Sequence, residues 1–363
     1  MRPILITGAD GYLGSRIAQV CAVGEQRPVI AWMRAAGARE FEQKRDRFLA
    51  AMGDGAVLAR CCYGDLTQPD PFSAIDPAEV GAIIHAAAVT RFNVERELAA
   101  AVNVEGARKL FDFASRCRAL EALGVLGTVY SSGLKAGDIE ETRHDGNHGF
   151  ANHYEWSKWQ CEELLASRYG HLPWRLFRVA TVVAEDERGR VVQHNAVHNT
   201  LKLLYYGLIS LVPGSPETPL YFVTADFVAR SVLELMRDGS DHTIYHVAHR
   251  REESLCLDDL LEVAWRAFHE SPDFARRRVL RPLYADARSF DLLAEGISGF
   301  GGQVLAQALA SMTPFARQLY VGKSIHNRNL VAARSPFLAP DPRELARKAC
   351  TNLLRAKWQK ELR

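Results

Sequence analysis

The chain has 363 residues, 48% of them hydrophobic and 24% charged, with a formal net charge of +2. That balance is ordinary for a globular protein of one large domain with a sub-domain, or of two domains, and the charge is too small for a general nucleic-acid binder. Seven scattered cysteines without a C-x-x-C pair point to neither a zinc site nor a disulfide framework. With no leader pattern and no apolar run of membrane-spanning length, a cytoplasmic chain without a membrane span is expected.

In chain order, PILIT (residues 3–7), PVIAWM (28–33) and AVLARC (56–61) predict the first three strands. GAIIHAAA (81–88), GVLGTVYSS (124–132) and WRLFRVATVV (174–183) predict the next three. Between them GSRIAQVCAV (14–23), AREFEQKRDRFLAAM (38–52), residues 94–117 and YEWSKWQCEELLASRYG (154–170) carry apolar residues at helical spacing. Such alternation implies an α/β fold, a doubly wound parallel sheet covered by helices on both faces. After about Ala184 the pattern loosens. PGSPETP (213–219) reads as a loop, IYHVAH (244–249) as one more strand. From Ser254 the pattern is mostly helical, interrupted by GISGFGG (296–302) and by prolines near Pro336 and Pro340. The expected division is a dinucleotide-binding sheet domain over 1–184, joined by the strand near 244–249. A smaller, mostly helical substrate-binding cap takes 185–243 and 250–363.

The first strand runs into Gly8, Gly11 and Gly14, spaced three apart at the start of a helix. Gly8 permits a tight turn, Gly11 lets the backbone approach a pyrophosphate, and Gly14 allows helix and strand to pack closely. The helix amides then face the phosphates. Tyr12 and Leu13, inside the motif, join this cofactor-binding set. The sheet is thereby read as a Rossmann fold. About twenty residues on, at the adenosine ribose, stands Arg34, with Arg39, Lys44, Arg45 and Arg47 nearby. A planar guanidinium suits a 2′-phosphate, so NADPH (NADP) is favoured over NAD. Asp65 and Leu66 end the third strand, where Asp65 either accepts from the adenine amino group or merely shapes a turn.

Tyr154 and Lys158 are four apart on a predicted helix and share a face. An ammonium beside a phenol favours the phenolate, and such a tyrosine can exchange a proton with a carbonyl or alcohol oxygen. Ser131 or Ser132, at the end of the fifth strand, can hydrogen-bond the same oxygen. His194 and His198 share a helical spacing but lack an acidic partner, and they read as a polar rim rather than a metal site. His144, His148 and His153 read as surface residues of a loop bordering the site. Arg276, Arg277, Arg278 and Arg281 read as a solvated face, or as a patch for an acidic carrier protein or a phosphopantetheine.

TGADGYLG, GDLT, HAAA, NVEG, YSSGLKAG and YEWSKWQCEELL together resemble the extended branch of the short-chain dehydrogenase/reductases, over about the first 180 residues. That resemblance implies a catalytic set of Ser132, Tyr154 and Lys158, Ser132 being the serine five residues before Gly137. It places Lys158 on the nicotinamide ribose, His85, Ala86 and Ala87 along the cofactor, and Arg178 beside it. It gives Asn103 a structural tie between a helix and a neighbouring strand. Where the family usually reads R-P-G, this chain has Arg178-Val179-Ala180, so a loop of different shape is expected beside the nicotinamide. Within the branch, WMRAAGAREFEQKRDRFLAAM, GDLTQPDPFSAI, IIHAAAVTRFN and LYFVTADFVARSVLEL are similar to thioester reductases and fatty acyl reductases. They imply an NADPH-dependent reductase of an acyl thioester, bound to coenzyme A or a carrier protein, or of the derived aldehyde. The alternative is an NAD(P)-dependent ketone or hydroxyl oxidoreductase or epimerase acting on a steroid, a β-keto acyl compound or a nucleotide sugar. A non-catalytic NADP sensor would be expected to lack the tyrosine or the lysine. LKLLYYGLISLVPG (201–214) and FGGQVLAQALASMTPFARQLYV (300–321) are apolar enough to line an acyl groove or simply to fill the cap. The resemblance also implies a homodimer.

Overall fold

Seven short runs pair side by side into one sheet. They are β1 (Ile4–Thr7), β2 (Val29–Arg34), β3 (Ala59–Gly64), β4 (Ala82–His85), β5 (Ala122–Thr128), β6 (Trp174–Val179) and β7 (Thr243–Val247). Their spatial order is β7-β6-β5-β4-β1-β2-β3, and every pairing is parallel. This computed structural model describes residues 1–300, 313, 315–333 and 339–359.

The helices that matter below are α1 (Tyr12–Gly24), α2 (Ala38–Met52), α3 (Gly106–Ala114), α4 (His153–Arg168), α5 (Ala196–Tyr205), α6 (Ala225–Asp238), α7 (Leu257–His269) and α8 (Pro342–Arg355). Strand side chains alternate between two cores. Ile4, Ile6, Ala31 and Met33 meet Ile17 and Ala18 of α1, Phe48 of α2 and Val228 of α6. Leu5, Ile30, Trp32 and Ile83 meet Leu110 and Phe111 of α3 with Cys161 and Leu165 of α4. A period of two on strands buried on both sides gives the near-continuous apolar runs seen in the sequence. The doubly wound Rossmann sheet is therefore present, and its strand order reverses between β1 and β4. Ligands of such sheets bind in the crevice at the carboxyl ends of the strands there.

Three local expectations shift. β3 starts at Ala59, because Gly53–Leu58 forms a 3-10 turn, with φ +54° at Gly53. β5 ends at Thr128, and Val129–Ser132 curls into another. α6 falls inside the 185–243 stretch expected in the cap, yet its Val228, Ala229, Val232 and Leu235 fill the sheet core. Arg16 of α1 also pairs with Asp226 of α6.

The cap has its own core. Leu201 and Leu204 of α5, Leu260, Leu261 and Ala264 of α7, and Leu345 and Ala349 of α8 pack together there. The short parallel pair Thr181–Ala184 and Phe222–Thr224 joins the two cores, with Phe222 in the cap core and Val223 in the sheet core. Ala287–Phe300 is a single helix through the GISGF stretch, where a break was expected. The remainder of that stretch, residues 301–312 of the apolar 300–321 segment, and Pro336 lie outside the described residues. Among the described residues no helix is long and apolar enough to cross a membrane.

Candidate active site

The glycine turn is built for close approach. Gly8 has φ +67°, and a Cβ there would lie 2.8 Å from the Ala87 Cα. A Cβ on Gly14 would stand 2.1 Å from the Gly8 carbonyl oxygen. The turn is thus packed directly against the end of β4 and the first turn of α1. Gly11 is the N-cap of α1 with no side-chain cap, and the first turn carries no acidic residue. That leaves the positive end of the helix for an anion. The donor set and the missing Cβ atoms fit a dinucleotide pyrophosphate. Tyr12 and Leu13 are half-buried at the same helix start.

His85, Ala86 and Ala87 lie beside this turn. Ala86 N donates to the Thr7 carbonyl (3.2 Å) and Ala87 N to Thr7 Oγ1 (3.3 Å). His85 Nδ1 shares a 2.8 Å hydrogen bond with that same hydroxyl. Burial, reinforced by the Lys158 charge, pushes His85 down to about 3, so the ring is neutral.

Arg34, at the end of β2, is 77% exposed, and its Nε donates to Asp65 Oδ2 (3.1 Å). Asp65 Oδ1 accepts from Thr67 N (2.8 Å) and Thr67 Oγ1 (2.7 Å), so its carboxylate shapes the turn after β3 and pairs with Arg34. Leu66 is buried in the core, where it occupies the space a Cβ on Gly106 would need. Lys44 of α2 reaches Asp10 of the glycine turn (3.4 Å) and the Arg34 carbonyl (2.5 Å), bracing the glycine turn against the end of β2.

α4 carries the tyrosine and the lysine. Asn152 caps it, accepting from Glu155 N (3.0 Å). The Tyr154 hydroxyl is hydrogen-bonded to the Thr128 side chain at the end of β5. The expected depression of its pKa by Lys158 is not what the structure shows. Burial, helped by the Glu155 charge, pushes the phenol up. The reason is geometric: Lys158 is itself buried and donates to the Leu126 carbonyl (2.5 Å). Burial lowers the pKa of this lysine. Ser132 Oγ donates to the Val129 carbonyl (3.0 Å) and accepts from Lys323 Nζ (3.1 Å). Ser131 is fully buried, with no partner for its hydroxyl among the described residues. Asn103 ties Val89 to α4 through Ser157 (2.9 Å), the structural role expected of it, although it sits in a π-type turn.

Arg178 is placed differently from the cofactor contact assigned to it. It is fully buried, its Nε and Nη2 donating to Glu162 Oε2 (3.1 and 2.8 Å). Its Nη1 donates to His144 Nε2 (2.8 Å) and to His246 Nε2 (3.3 Å). A guanidinium so enclosed organises the interior behind the site. The same pairing buries His144, expected at the surface, and burial together with the Arg178 charge brings it down to about 3. His148 and His153 are exposed as expected. His198 is not a rim residue: it is buried, accepts from Asn195 N (3.0 Å) and bonds the Val183 carbonyl (2.9 Å), closing the start of α5. In the basic run, Arg281 pairs with Asp258 (2.8 Å) and Glu262 (3.1 Å), while Arg277 lies over the Tyr206 ring (4.8 Å).

Several residues at the site carried no signal of their own in the sequence. Phe92, in the loop after β4, stands 5.9 Å from the Tyr154 ring and stacks on Phe315 at 5.3 Å. Phe315 meets Tyr130 edge-on at 5.2 Å. Phe315 also lines an apolar cavity together with Leu201, Leu204, Val212, Leu260 and Leu319. The two apolar segments singled out in the sequence thus converge on one cavity, which Phe315 and Phe92 link to the tyrosine.

The profile of the male sterility protein family matches residues 6–232, from β1 through most of α6. The chain belongs to that family. It is an extended short-chain dehydrogenase/reductase of the thioester-reductase-like kind, a family whose members are NAD(P)-dependent oxidoreductases. A carboxylic acid reductase from Segniliparus rugosus is 25% identical over 310 residues, covering 74% of this chain and 26% of that enzyme. The N-acetyl-alpha-D-glucosaminyl-diphospho-ditrans,octacis-undecaprenol 4-epimerase of Escherichia coli O157:H7 is 25% identical over 221 residues, covering 58% of this chain and 56% of the epimerase. The chain therefore spans about a quarter of the first relative's length and little over half of the second's. The terminal R domain from the myxalamid PKS-NRPS biosynthetic pathway shares the fold with a TM-score of 0.77 at 21% identity, over 99% of this chain and 92% of that one.

Proposed function

We propose that the protein is an NADPH-dependent reductase of an acyl thioester, bound to coenzyme A or a carrier protein, or of the aldehyde derived from it. The observation that carries this reading is the apolar cavity lined by Phe315, which stacks on Phe92 beside Tyr154. Its apolar lining suits part of an acyl chain, with the two phenylalanines leading from it toward the tyrosine. The likeness to a carboxylic acid reductase supports the same substrate class. A bound nicotinamide supplies the hydride. Tyr154, a phenol held protonated by burial, is suited to donate to the oxygen that becomes negative during reduction. Ser132 is the second donor once its hydroxyl turns from the Val129 carbonyl. Lys158 holds the cofactor ribose.

NADPH oxidation on a substrate panel tests the reading. Turnover of acyl-coenzyme A thioesters is expected. Turnover of ketones or nucleotide sugars alone would replace it with the oxidoreductase or epimerase alternative, which the epimerase relative favours. Leu204→Trp fills the cavity and is expected to raise KM for long-chain thioesters at least about tenfold, with acetyl-coenzyme A little changed, by the cost of overpacking an apolar site. An unchanged chain-length profile would take the cavity out of substrate binding. Arg34 supports NADPH over NADH. Because its side chain is largely exposed, Arg34→Ser is expected to weaken NADPH binding by only about tenfold, and NADH binding hardly at all. Equal losses for both cofactors in a titration would contradict the 2′-phosphate contact.

A further inference from the structure

The loop that carries Ser132 is held from the far end of the chain. The segment Lys323–Ile325 pairs in parallel with Gly137–Ile139, with Lys323 opposite Gly137. Gly137 N donates to the Gly322 carbonyl (2.8 Å). This pairing turns Lys323 inward, where it is only 5% exposed. Its Nζ donates to Ser132 Oγ (3.1 Å), to the Gly133 carbonyl (2.5 Å) and to the Lys135 carbonyl (2.9 Å). An ammonium has three hydrogens, and all three are spent on residues 132–135. Ser132 Oγ therefore accepts from a cation while its own hydrogen points to the Val129 carbonyl. Five residues before Lys323, Gln318 Nε2 reaches the Gly133 carbonyl (3.2 Å) and Glu155 Oε2 (2.8 Å). One short segment thus grips both the serine loop and the start of the tyrosine helix.

We propose that Lys323 is a positioning residue for the reduction, holding the Ser132 oxygen in place and polarising its hydroxyl as a donor to the substrate carbonyl oxygen. The proposal rests on the role given to Ser132 above. A hydroxyl that accepts a charge-assisted hydrogen bond donates a stronger one. Removing the ammonium would also take a donor from the half-buried Lys135 carbonyl and leave the buried Gly133 carbonyl with Gln318 Nε2 alone. Burial lowers Lys323 to about 8, against the pull of the Glu155 charge and with the help of Lys135. Glu155 from α4, Lys135 from the serine loop and His144 are the titratable groups that feel it. Lys323 is charged well below pH 8 and loses its charge progressively as pH rises through about 8, so the proposed polarisation fades over that range.

The test is a double-mutant cycle of Lys323→Met and Ser132→Ala, read as kcat and KM on whichever carbonyl compound the wild-type protein turns over with NADPH. Lys323→Met is expected to lower kcat by about 10- to 100-fold with KM little changed, less than the loss of a direct oxyanion donor. In the Ser132→Ala background the same change should cost less than about threefold, because the group it acts through is gone. Wild-type kcat should fall above about pH 8, and Lys323→Arg, which stays charged, should carry activity to higher pH. Equal losses in both backgrounds would overturn the proposal. If Lys323→Met does not fold, an alkaline limb unchanged in Lys323→Arg overturns it instead. A wild-type kcat in Ser132→Ala speaks against the serine, and absent thioester turnover speaks against the substrate class. Neither outcome resembles a failed cycle.

Discussion

Tyr154→Phe is expected to lower kcat by about 10²- to 10⁴-fold, the range of a positioned acid, while NADPH affinity stays within about threefold. The substitution keeps the ring, and with it the contact to Phe92. It removes only the hydroxyl that Thr128 holds. Because burial and the Glu155 charge push the phenol up, Tyr154 would enter the proposed reaction as an acid rather than as a phenolate, which suits reduction of a carbonyl. Stopped-flow NADPH oxidation with cofactor titration separates the two quantities. Full activity in this variant would remove Tyr154 from the chemistry, and a large loss of NADPH binding would make its role one of cofactor positioning.

Arg178→Met is expected to destabilise the protein by about 3–5 kcal/mol, because it strands the Glu162 carboxylate in the interior. It also leaves the Nε2 atoms of His144 and His246 without their donor. Denaturant unfolding measures the loss. Arg178→Met with Glu162→Gln should recover part of it, since neutralising the partner removes most of the uncompensated charge. If Arg178 instead served the cofactor, the single variant would weaken NADPH binding without lowering the unfolding free energy. The two outcomes separate a buried strut from a ligand contact.

Much of the sheet could be read from the chain because its signals are local. PILIT, GAIIHAAA and the 38–52 helix fall almost where their periodicity places them. Displacements occur where a turn decides the boundary, as at Gly53–Leu58 before β3. α6 lies in the stretch after Ala184 that was assigned to the cap without a predicted helix, and its place in the sheet core was not legible because an amphipathic face does not say which of two cores will cover it. Arg178 illustrates the same limit in the site. The family resemblance put it beside the cofactor, while it lies within β6 and its actual partners come from α4, the loop before α4 and β7.

By itself, the sequence determined the features that depend on neighbours along the chain: the strand and helix periods, the positive-φ glycine turn that opens α1, and the i, i+4 placement of Tyr154 and Lys158. Each is set by backbone sterics or by the pitch of a helix. Only the tertiary structure decided which side chains meet across the chain. Lys323 reaches Ser132 over 191 positions, and Phe315 joins the apolar cavity to Phe92 beside the tyrosine. Burial then changed the chemistry, turning Lys158 toward a carbonyl and raising Tyr154 where a nearby lysine alone would have lowered it. Desolvation is a property of the packed interior, and no spacing of residues along a chain encodes it.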